Sequence, residues 1–194
     1  MAGFDFVLVL LSFVYALGLG HVLTSAGRLL MRREQVVFSG LLALAMANAV
    51  LQVYVNWLGM WDFRSMHDWG LLKITLFFVA AIITFLMCVV VSPEPESDQQ
   101  GDRRIDLSRV FWRNRRWFYA FYLALLLTFI AISVFYLDTP TPQLALRIAA
   151  SNLPYIALAM IGLVIAREWV QWVVGILMFG GTAYWLVLFA PVVK

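Results

Sequence analysis

Long apolar runs alternate with short charged punctuation along this chain. Reading between the charges gives six segments of about 20 residues or more, the length a helix needs to cross the hydrocarbon of a bilayer. They predict helices at 4–27, 36–61, 69–91, 117–137, 141–166 and 169–193, the third reaching outward through Lys73 and the fifth through Arg147. No period-two alternation suggests a barrel, so each run is expected to satisfy its own backbone as a helix. The first run starts Met-Ala-Gly-Phe-Asp, and its basic residues, Arg28, Arg32 and Arg33, follow it. A signal peptide carries its basic residues first, so this order predicts a retained helix.

The one long linker is 92–116. It begins polar and proline-broken, then becomes periodic. Leu107, Val110, Phe111, Trp117 and Phe118 share one helical face, while Asp106, Arg109, Arg113 and Arg116 share another. That pattern predicts a short amphipathic helix on the inner leaflet, its three arginines held by anionic lipid headgroups. The expected fold is therefore all-α and integral to the lipid bilayer. It is a single domain over 1–194, a six-transmembrane-helix bundle with one cytoplasmic amphipathic helix.

Composition agrees. Hydrophobic residues make up 63% of the 194 positions and charged residues 13%, with a mean hydropathy of +0.88. Disorder, a disulfide scaffold and an ordinary soluble enzyme are excluded by those figures. The lone Cys88 precludes an intramolecular disulfide. Fourteen Lys and Arg against eleven Asp and Glu give +3, which would fit nucleic acid as a partner if the excess formed one patch. Instead it sits in loops. Arg28, Arg32, Arg33, Arg103, Arg104, Arg109, Arg113, Arg115, Arg116 and Arg167 follow helices one, three and five; Arg64, Lys73, Arg147 and Lys194 lie on the other side. The asymmetry predicts both termini outside the cytoplasm, with no nucleic acid involved.

Two stretches carry a resemblance: Gly20-His21-Val22-Leu23-Thr24-Ser25-Ala26-Gly27-Arg28, and Asn114-Arg115-Arg116-Trp117-Phe118. They resemble a family of small, functionally uncharacterised bacterial multi-span inner-membrane proteins. The resemblance implies a bacterial inner-membrane protein and brings no activity with it.

Polar residues inside the spans are the candidates for function, because lipid-facing ones are unfavourable. Asn48, Gln52 and Asn56 recur every fourth residue in helix two, and Arg147, Ser151 and Tyr155 do so in helix five, with Asn152 beside them. One reading is a polar cavity between helices two and five, made basic at its outer mouth by Lys73 and Arg147, which admits an anion or a polar small molecule. The other is that the amides join helices while the two cations snorkel to the interface. Ser12, Ala16, Gly20 and Thr24 form a small-residue ladder on helix one, suited to packing inside the bundle or across a homo-oligomer. His21 is either a proton relay or a hydrogen-bonded structural residue.

Nothing assembles an active site. No catalytic or phosphate-binding motif is present, and all acidic residues lie in loops or at helix ends. The two histidines, His21 and His67, are about a membrane thickness apart, so no metal or haem cofactor is expected. Two functions follow as expectations: a small channel or transporter, or a non-catalytic scaffold or accessory subunit that binds lipid or a partner protein through the basic linker.

Overall fold

Six helices are formed from the six apolar runs: α1 (Ala2–Met31), α2 (Gly40–Gly59), α3 (Leu71–Val91), α4 (Leu107–Tyr136), α5 (Pro142–Val164) and α6 (Glu168–Phe189). The structure, a computed structural model, describes residues 2–64, 69–93, 104–136 and 142–189. Five helices, α1, α2, α3, α4 and α6, are long and apolar enough to cross a membrane. In α5 the apolar stretch is the shorter Ala150–Val164. Six full spans were expected; five are shown among the described residues, and the side chains at 147–149, just before the α5 stretch, lie outside them.

The helix ends depart from the charge boundaries for local reasons. α1 continues past Arg28 to Met31, since a charge marks the edge of the hydrocarbon and need not end a helix. α2 starts four residues later than expected. Ser39, extended at φ −129° and ψ 114°, caps it by accepting the Leu42 N–H at 3.4 Å. The freed Val36–Val37 forms a two-residue strand, β1, paired in parallel with Ile105–Asp106, β2.

The linker differs more. Residues 107–116 are not a separate amphipathic helix, because Leu107–Tyr136 is one helix of 30 residues. It contains no Gly or Pro, and extending an existing helix costs little. The Asp106 carboxylate caps its start, accepting the N–H groups of Ser108 at 2.9 Å and Arg109 at 3.4 Å. Leu107, Val110, Phe111 and Phe118 are buried in the protein core, and only Trp117 of that apolar face is exposed. The face expected to lie on lipid is therefore a packing face. The expected polar, solvated start of the linker, 94–103, lies outside the described residues.

α2 and α4 occupy the middle. α2 packs against α1, α3, α4 and α6, while α4 packs against α3, α5 and α2. The α1–α2, α3–α4 and α5–α6 connections gather at one end, where β1 meets β2 and Arg115 of α4 reaches the carbonyl of Ile165. Those are the three basic connections. At the opposite end aromatic rings cluster: Phe4 against Trp61 and Trp69, with centroids 6.1 and 6.0 Å apart, and Phe77 against Phe63 and Trp69 at 4.8 and 5.7 Å.

Candidate functional site

The amide stripe of α2 faces inward along its whole length. Asn48, Gln52 and Asn56 are all buried, though each meets a different neighbour. Asn48 donates to the carbonyls of Leu44 at 3.0 Å and Gly175 at 3.1 Å, tying α2 to α6. Gln52 donates to the Tyr122 hydroxyl at 2.7 Å and to Thr182 Oγ1 at 3.4 Å, joining α4 and α6. Asn56 donates to Thr84 Oγ1 at 3.0 Å, and Thr84 donates to the Ala80 carbonyl at 2.9 Å. The four-residue spacing stacks three amides on one side of a straight helix, and a central helix has neighbours for each.

Above this network, toward the aromatic end, a cavity of about 270 Å3 opens between α2, α3, α4, α5 and α6. Gln52, Asn56, Tyr122, Ser133, Asn152, Tyr155 and Thr182 supply its hydrogen-bonding groups. Phe63, Phe77, Phe129 and Trp185 supply further aromatic ones. Among the described residues no charged side chain lines it. Such a chamber can hold a small uncharged molecule with a polar edge and an apolar body.

The expected opposition of helices two and five is met in part. α5 packs mainly on α4 and α6, and it shares the lining of the cavity with α2. Asn152 and Tyr155 turn toward the cavity, whereas Ser151 faces outward and is exposed. Lys73 sits half-buried in the first turn of α3 and is not part of the lining. Arg147 lies on α5, but its side chain is outside the described residues.

Toward the other end α6 packs closely on α2, and α5 on α4. A Cβ added to Gly175 would stand 2.6 Å from Leu44 Cδ2, and one added to Gly162 would stand 2.5 Å from the Tyr119 ring. Arg115, a residue the sequence reading passed over, is buried here. Its guanidinium donates to the Gly162 carbonyl and, at 3.1 Å, to that of Ile165, and it lies 5.8 Å from the Trp112 ring. Gln171 donates to the same carbonyls at 3.1 and 2.6 Å. Together they satisfy the last turn of α5, where carbonyls lack partners and a cation suits the helix dipole. The available signal was an arginine on the apolar side of α4, at i+4 from Phe111.

The remaining candidates lie elsewhere. Ala16, Gly20 and Thr24 of the small-residue ladder are exposed on the outer face of α1, and a Cβ on Gly20 would meet nothing. The face of α1 that packs inside carries Val7, Leu11, Tyr15, Gly18 and Val22 instead. Only half-buried Ser12 of the ladder joins the bundle, accepting the Trp57 Nε1–H at 3.1 Å. His21 lines a separate groove with Thr24, Arg28, Phe85 and Pro93, apart from the central cavity. Arg109, Arg113 and Arg116 are exposed together on α4. Among the described residues no three His, Cys, Asp or Glu side chains come together as metal ligands. No family model, curated protein or solved structure matches this chain.

Proposed function

We propose that this chain is a small multi-pass transporter or channel whose solute site is the cavity beside Gln52 and Asn56. The observation that carries the reading is the lining: seven side chains with amide or hydroxyl groups beside four other aromatic ones, without a described charge. This favours an uncharged polar molecule with an apolar body over an inorganic anion, since a bare ion in such a wall would lack a counter-charge. The tightly packed opposite end fits a chamber reached from one side, as alternating access requires. A bacterial inner membrane, with both termini outside the cytoplasm, is the setting that the basic connections and the resemblance support.

The test is solute binding to the purified protein, read as thermal stabilisation across a panel of small neutral amides, polyols and aromatic alcohols. Wild type is expected to be stabilised by at least one of them, and Gln52→Leu and Asn152→Leu to lose the effect. Arg147→Gln checks for an anion: an altered halide flux in proteoliposomes would return that class to the site. If no solute binds or crosses while Gln52→Leu only lowers stability, the amides are helix joints.

One observation favours a second reading, a non-catalytic scaffold or accessory subunit. Arg109, Arg113 and Arg116 form an exposed basic face on α4, and each is worth about 1 kcal/mol against anionic lipid. Replacing all three with Gln should strip co-purifying anionic lipid from the protein in native mass spectrometry. Unchanged lipid retention would leave that face without a role.

A further inference from the structure

Two buried amide oxygens have no partner among the described residues: Asn48 Oδ1 on α2 and Gln171 Oε1 on α6. Their side chains are 2% and 1% exposed. Neither can be relieved by turning the amide over. Asn48 Nδ2 already donates to two carbonyls, Leu44 and Gly175, and Gln171 Nε2 to two others, Gly162 and Ile165. A flip would set oxygen against two carbonyl oxygens in each case. Both residues line one small void, with Leu41, Leu44, Ala45, Phe111, Phe118 and Tyr119 among its walls.

We propose that this void is a binding site for a single structural water molecule, which donates one hydrogen to Asn48 Oδ1 and the other to Gln171 Oε1. The chemistry selects it. Two unpartnered acceptors on side chains that line one space call for a double donor. The space, about 10 Å3, is that of one water centre and nothing larger. A sodium or ammonium ion would also satisfy two oxygens, but the Arg115 guanidinium is bonded to the same two carbonyls as Gln171 and repels a second cation in a weakly screened interior. An anion would face two lone-pair donors. The water therefore links α2 to the start of α6 at the level where those two helices pack closely, independently of any solute in the larger cavity.

The experiment is a structure of the full-length protein at a resolution that shows ordered water, with its Gln171→Met variant. The expected result is one density peak within about 2.6–3.2 Å of both oxygens in wild type. In Gln171→Met the peak is lost, while Arg115 still caps α5. An empty void in wild type, or a peak that persists undiminished in the variant, overturns the proposal. Thermal stability in sodium, potassium and choline chloride at equal ionic strength provides a check that needs no variant. It should be the same in all three; a sodium-specific rise would make the site a cation site and overturn the water.

Discussion

Arg115 and Gln52 define how single side chains hold this bundle. Arg115 is a buried charge, and its Nη1 donates to two carbonyls at the end of α5, those of Gly162 and Ile165. Arg115→Met should lower stability by about 1–3 kcal/mol, read as a thermal midpoint in detergent. Arg115→Lys should recover only part of that loss, because an ammonium is more strongly hydrated, costs more to bury, and lacks the planar group that lies near the Trp112 ring. Full recovery by lysine would show that charge alone matters there. Gln52→Leu removes the hydrogen bonds that join α2 to Tyr122 and Thr182 and should cost about 1–2 kcal/mol. The amide stripe was legible in the sequence because its four-residue period is a property of one helix. Arg115 was less legible: its spacing from Phe111 puts it on the apolar side of α4, but that face could as well have met lipid, and the packing of α4 on α5 is what buries it while Arg113 and Arg116 stay exposed.

At the scale of elements, packing decides what periodicity leaves open. An apolar face can be covered by lipid or by protein with equal ease, so Leu107, Val110, Phe111 and Phe118 read alike for either. The small-residue ladder of α1 shows the same ambiguity in reverse: Ala16, Gly20 and Thr24 fit a helix contact, yet the bundle uses the face of Gly18, whose added Cβ would lie 3.4 Å from Cys88 Sγ. Contacts as close as that between α4 and α5 leave no room for a methyl group. Gly162→Ala would drive a Cβ into the buried Tyr119 ring, and a loss of about 1–3 kcal/mol is expected, measurable by chemical or thermal unfolding. Gly20→Ala on the outer face should be neutral or slightly stabilising in the same assay.

For the whole molecule, the arrangement of the ends was the most legible feature. Basic loops are spaced two helices apart along the sequence, and antiparallel packing of neighbours puts them on one side whatever the details inside. Orientation in the membrane is open to a direct measurement, helped by the burial of the only native thiol, Cys88. Arg64→Cys should react with an impermeant maleimide on intact cells, and Glu34→Cys only after permeabilisation. The reverse pattern would invert the topology. The pairing of β1 with β2 also sets an order of events during synthesis. Val36 and Val37 leave the ribosome early, yet their partners, Ile105 and Asp106, come only after α2 and α3 have been made. The chain must therefore hold its first turn open through two membrane insertions. It is then clasped as α4 begins, so a nascent chain released before that point would lack its clasp and offer quality control an unpaired edge.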